Sequence, residues 1–263
     1  MTRLNSIQKG TILVVLSVFA AAAVFLLPAI PQSAAYHHFA DTRRILAIPN
    51  FWNVVSNFPF IVFGLLGLCA LSKAKIAGWM SVIYGVLFIG VLLTGFGSAF
   101  YHLSPNNDTL VWDRLPMTIV FMAFLAAVVA EWINTRVGFT LFIPFVLIGI
   151  ASVWWWHHTE VLRRGDLRLY GLVQFYPTIF IPLIIILYYS PPQKTSLRLF
   201  LSIVLWYLLA KAFETLDSQI FRYFPLSGHT LKHLAAAIST YYFIPLFARR
   251  YGAGSTPPAA DIR

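Results

Sequence analysis

The sequence has a single cysteine, Cys69, and only nine aspartates and glutamates among 263 residues. One cysteine excludes a disulfide framework and a cysteine-ligated zinc site, and its position within an apolar run reads as buried filler. Charged residues of both signs reach only 11%, well under the ~25% of soluble domains. Internal repeats, low-complexity linkers and a polar stretch long enough for a soluble domain are absent as well. What fills the chain instead is apolar: 59% hydrophobic residues and a mean hydropathy of +0.75. A soluble domain has no means of covering so much apolar surface, so the solvent for most of this chain is a bilayer. The formal charge of +10 resembles a nucleic-acid signal only until its distribution is read. The basic residues are scattered over short loops, a pattern that sets topology and draws anionic headgroups, and no nucleic-acid partner is expected.

Apolar runs fall at about 10–30, 53–72, 79–102, 115–133, 138–156, 171–189, 197–214 and 230–247, each near the length that spans ~30 Å of hydrocarbon as helix. They lack the period-two alternation of barrel strands. The expected fold is therefore an all-α integral membrane protein, a seven-helix bundle core (36–250) with one added N-terminal span. Pro59, Pro144, Pro177, Pro182 and Pro245 are expected to kink helices, and Trp154 to Trp156 read as an aromatic belt. Residues 1–35 form the N-terminal transmembrane segment or signal anchor. The apolar stretch is long for a signal peptide, which favours a retained helix over processing at "SAA", 33–35. Residues 251–263 read as a flexible tail. With eight spans, Lys and Arg are somewhat more numerous beside the N-terminus, the even loops and the C-terminus, which places both chain ends in the cytoplasm and the odd loops outside.

"GFGSAFYHLSPNNDTLVWDR", 95–114, then presents polar groups at the edge of a greasy helix. Ser98 and His102 are four residues apart and share a helix face. His229 and His233, in "SGHTLKHLAAA", repeat that spacing, which lets two imidazoles reach one metal ion from one helix. Ser98, His102, Asp113, His229 and His233 all border the third or seventh loop, so parity places them on one membrane face. A third imidazole, His102, completes a three-histidine site with its fourth position open to water. That arrangement suits catalytic zinc, which lowers the pKa of bound water to about 7. Blander readings exist for each part. The small residues of "GFGS" can serve close helix approach, and Asp113 can be a first-turn acid.

"SAFYH", Asp113 eleven residues after His102, and "HTLKH" in the last span together resemble the alkaline ceramidase family, within a superfamily of seven-helix membrane hydrolases. "NFWNVVSNFPFIVFGLLGL", 50–68, resembles the segment that opens that family's first core helix, and the likeness runs over about 36–247. The resemblance implies that His102, His229 and His233 hold zinc. Asp113 would take a proton from the attacking water and pass one to the leaving amine, and Ser98 would stabilise the oxyanion. The implied substrate is ceramide or another N-acyl lipid. Eukaryotic relatives carry a calcium site of several carboxylates before the first core helix. Here that stretch offers only Asp41, with Asn50 where an acid would be expected, so calcium is not expected.

Other polar residues compete for notice. Lys211, Glu214 and Asp217 read as an ion pair with a capping acid, or as carboxylates (Glu214, Asp217) that orient a ligand imidazole from behind. His157, His158 and Glu160 form a second outer cluster, read as interfacial anchoring, and His37 and His38 belong at headgroup depth. Three rival functions stay open: a receptor-like or regulatory relative, a hydrolase of a different lipid amide or ester, and a transporter relaying charge through Lys211, Glu214 and Asp217. The absence of paired broken helices argues against transport.

Overall fold

The computed structural model describes residues 4–74, 76, 78–189 and 194–252. Within them the backbone is almost entirely helical, because in hydrocarbon each N–H and C=O must be satisfied inside its own segment. In chain order the helices are α1 (Ser6–Leu26), α2 (Phe51–Val55), α3 (Phe58–Lys73), α4 (Trp79–Leu103), α5 (Asn107–Trp132), α6 (Thr135–Val161), α7 (Arg168–Tyr188), α8 (Lys194–Thr215), α9 (Asp217–Tyr223), α10 (Gly228–Tyr241) and α11 (Phe243–Tyr251). Seven spans are long and apolar enough to cross a membrane: α1, α2 with α3, and α4 to α8. Large apolar side chains such as Val14, Phe19, Ile179 and Leu205 lie on the outside, where a soluble protein would be polar. The protein is an all-α membrane bundle.

All eight expected runs are helical, with instructive shifts. α5 begins at Asn107, earlier than the apolar pattern predicts, because the Asn106 side chain accepts the N–H groups of Asp108 and Thr109 in a capping box. α6 starts from a similar Asn134 cap and runs through the tryptophans to Val161. The last run is split at Tyr242 into α10 and α11. Pro245 has no N–H to offer the Tyr241 carbonyl, and its ring opposes the same oxygen, which favours a break at this point. Pro59 does not kink a helix; it lies in the first turn of α3, after a break at Ser56 and Asn57. Pro144, Pro177 and Pro182 lie inside helices as expected, and so does Pro116. Cys69, read as buried, is instead exposed on α3. The expected tail falls outside the described residues from 253 onward.

α5 is the most enclosed span and α1 the least. Small residues let α5 meet its neighbours closely. A Cβ at Gly138 of α6 would come within 2.5 Å of the Ala130 backbone, so only glycine permits that approach. α1 lies against α7, where the Ser17 and Tyr176 hydroxyls are 2.7 Å apart. Between α1, α5, α7, α8 and α10 the bundle leaves an apolar cavity of about 730 Å³, within the range of about 300–1,000 Å³ usual for ligand sites.

Candidate metal and catalytic site

Ser98 and His102 lie in the last two turns of α4, Asp113 in the second turn of α5, and His229 and His233 in the first two turns of α10. All five are buried and gather at one end of the bundle. Two glycines hold α4 in position. A Cβ on Gly97 would stand 2.0 Å from the Trp112 carbonyl oxygen, and one on Gly95 would stand 2.6 Å from the Ile61 side chain. The "GFGS" run does serve close approach, and that approach brings the Ser98 hydroxyl and the Asp113 carboxylate to the same cavity wall. Gly228 acts alike for α10, since a Cβ there would meet the Phe213 carbonyl oxygen at 2.3 Å.

The three imidazoles converge. One ring nitrogen of each of His102, His229 and His233 lies within 4.8 Å of the others. The Nε2 atoms of His102 and His233 are 3.2 Å apart. Two nitrogen ligands at about 2.0–2.1 Å on a tetrahedral zinc are separated by roughly 3.3 Å, so this spacing is already that of a ligand pair. Ring orientation agrees. The Ser56 hydroxyl donates to the Asn53 carbonyl and lies 2.8 Å from His233 Nδ1. Ser56 therefore accepts the Nδ1 proton, and Nε2 keeps its lone pair for the cluster. Phe39 packs over the group, 4.6 Å from both the His102 and the His229 rings. His102 Nδ1 is buried without a hydrogen-bond partner. A buried three-imidazole donor set is of the kind that suits a zinc ion; among the described residues it is the one His/Cys/Asp/Glu group that could hold a metal.

The other expected positions do different work. Glu214 accepts from Lys211 at 2.6 Å and from Lys232 at 2.8 Å, and Lys232 Nζ is 3.3 Å from His229 Nε2. Asp217 accepts the backbone N–H groups of His229 and Ala40, which fixes the start of α10 against the first loop. His157 pairs with the exposed Asp108 at 2.8 Å, His158 stacks on Trp154, and Glu160 accepts the Gln32 N–H. His37 bridges the Tyr101 hydroxyl and Asn107. Asp41 is gripped by the Arg43 guanidinium, which raises the Arg43 pKa above its ordinary value. Asn50 adopts a left-handed conformation and donates to the His102 carbonyl at 2.9 Å. Asp41 and Asn50 are thus engaged in loop-to-helix contacts that offer no cluster of free carboxylates.

Sequence reasoning missed Asn53, Ser56, Lys232 and Thr230. Asn53 Oδ1 accepts from the Thr230 hydroxyl at 2.8 Å and so ties α2 to α10 beside the ligand pair. A signal was present: in "NFWNVVSNFP" the polar residues recur at Asn50, Asn53 and Ser56 or Asn57, one helical face at the mouth of an apolar run.

The profile of the ceramidase family matches residues 44–251. This chain belongs to the ceramidase family. Membership makes it a hydrolase of amide bonds in a lipid substrate, ceramide being the one the family is named for. The match covers both halves of the site, from the loop before α2 to the end of α11. A search of curated proteins finds no match.

Proposed function

We propose that the protein is a zinc-dependent intramembrane amidase, which cleaves the N-acyl bond of ceramide or a similar N-acyl lipid to a free fatty acid and an amine. The observation that carries this reading is the convergence of His102, His229 and His233 beside a cavity that Ser98, Asp113 and His233 line. His102, His229 and His233 are the ligands. Zinc held there supplies Lewis acidity toward the amide carbonyl and the attacking water. Asp113 takes a proton from that water as the new C–O bond forms. It returns a proton to the nitrogen as the C–N bond breaks, so the amine leaves neutral. Ser98 donates its hydroxyl proton toward the carbonyl oxygen as negative charge gathers there. Ser56 holds the His233 ring, and the apolar wall of α7 and α8 takes the acyl chain.

In this reading the core is residues 36–250, with 1–35 as an added span, and the excess of Lys and Arg beside the chain ends supports a site toward the outer face with the C-terminus cytoplasmic. An amide lies at headgroup depth in a lipid, the depth of residues at helix ends. The test is mass spectrometry of products from a panel of N-acyl lipids. Wild type should release fatty acid and amine, and His233→Ala should not. A zinc-loaded wild type that releases fatty acid from none of them contradicts the reading and leaves a metal-binding, receptor-like bundle.

A further inference from the structure

A buried cation without a counterion stands in the wall of the same cavity. Arg114 is 4% exposed and always charged. Its Nη2 donates to the neutral Gln32 Oε1 at 2.6 Å, while Nε and Nη1 have no hydrogen-bond partner. The guanidinium is boxed by aromatic rings, 4.1 Å from Trp156, 4.4 Å from Tyr170 and 5.4 Å from Tyr36. The other well-placed arginines each hold a carboxylate: Arg43 has Asp41, Arg168 has Asp166 and Arg250 has Glu131. Among the described residues no carboxylate lies within ion-pair distance of Arg114, the most buried of the four. Ring faces return only part of the lost hydration of such a charge.

The opposite wall is charged in the same sense. Lys211 and Lys232 share the carboxylate of Glu214. With Asp113 as the other carboxylate of this cavity, the three cations Arg114, Lys211 and Lys232 face two anions, and one positive charge is left over. Arg114, Lys211, Lys232 and Gln32 all line the cavity that reaches Ser98 and Asp113. An uncharged lipid offers these cations only dipoles. A carboxylate or phosphate oxygen that takes the place of Gln32 Oε1 at the guanidinium edge exchanges a dipole for a full charge in a medium of low dielectric.

We propose that Arg114 recognises an anionic group on the amine side of the substrate, so the preferred substrate is an N-acyl lipid bearing a carboxylate or phosphate there. This rests on the amidase reading above and deepens it by naming the substrate class.

N-palmitoylserine and its methyl ester differ only in the carboxylate, which the ester caps with a methyl group and so leaves uncharged, and they make the test. Wild type should favour the acid on the order of tenfold in kcat/KM. Gln32→Glu supplies the missing anion from within; it should bring the ratio near one, raise the melting temperature and leave zinc content unchanged. Arg114→Gln should also abolish the preference, and Arg114→Lys should restore part of it. Equal cleavage of acid and ester by wild type, or a preference that persists in both Gln32→Glu and Arg114→Gln, overturns the proposal. Inhibition by palmitate that weakens in Gln32→Glu while the acid-to-ester ratio holds would assign the anion to the product and overturn it too. If wild type cleaves no N-acyl lipid, the amidase reading fails by itself. Binding then decides on Arg114: tighter binding of the acid than of the ester, lost in Gln32→Glu, supports the anion site, and equal binding refutes it.

Discussion

The two ends of the bundle each bury a polar cluster, and they differ in how the cluster is closed. At the end away from the histidines, Glu131 accepts from the Tyr84 hydroxyl at 2.8 Å and the Tyr251 hydroxyl at 3.1 Å, with Arg250 Nε 3.7 Å away. Both hydroxyls, from α4 and α11, donate to the same carboxylate oxygen, Arg250 Nε has no hydrogen-bond partner, and the cavity does not reach the cluster. At the other end, His102, His229 and His233 bring one ring nitrogen each within 4.8 Å of the others, and the His102 Nδ1 and Asn57 Oδ1 atoms are left without partners. A cluster shut away from any cavity is a staple between helices. One that opens on a cavity, through His233, Asn57, Ser98 and Asp113, is arranged for something that arrives from outside.

That contrast can be broken by substitution. The largest effect belongs to the ligands: His229→Ala with His233→Ala should abolish both bound metal, by elemental analysis, and fatty-acid release. Survival of either would erase the distinction between the two ends. Asp113→Asn should keep the metal and lower turnover by about 10²–10⁴-fold, the range of a lost general acid–base. Unchanged turnover would remove Asp113 from the chemistry. Ser56→Ala should weaken metal affinity by about 10–100-fold, read by competition with a chelator; an unaltered affinity would mean that the His233 ring needs no support.

The staple should respond in the opposite way. Glu131→Gln is expected to cost about 1–3 kcal/mol of stability while metal content and turnover stay as in wild type. A loss of metal there would show that the ends are coupled. The smallest effect concerns pH at the loop joining α6 to α7. The Arg168 side chain, by hydrogen-bonding Asp166, holds that carboxyl down to about 2, and Arg168 also donates to the Leu27 carbonyl at the end of α1. A depressed carboxyl pKa stabilises the fold above its unfolded value and loses that contribution as pH falls toward the folded one. Hydrogen exchange at the end of α1 should therefore quicken as pH falls from about 4 toward 2, once corrected for intrinsic rates, and Asp166→Asn should remove the dependence.

Much of this was legible in the chain. Apolar length alone located all eight helical runs, since lipid leaves the backbone no other option, and i,i+4 spacing put His229 and His233 on one helix, α10, with their rings 4.8 Å apart. Helix starts were less legible. The cap at Asn106 draws polar residues into α5 that the hydropathy pattern leaves in a loop, and Pro245 breaks a run that hydropathy shows as continuous. The supporting contacts were the least legible, because they join distant segments. Ser56 meets His233, and Asn53 meets Thr230, only after α2 packs on α10. Glu214 illustrates the limit: its spacing from Lys211 was readable, but its second partner, Lys232, comes from another helix.

X-ray absorption at the zinc edge of the purified, zinc-loaded protein tests the central claim most directly. The account predicts one zinc per chain with three imidazole nitrogens at about 2.0–2.1 Å, and one fewer in His233→Ala. A spectrum without imidazole scattering, or one that His233→Ala leaves unchanged, would contradict it.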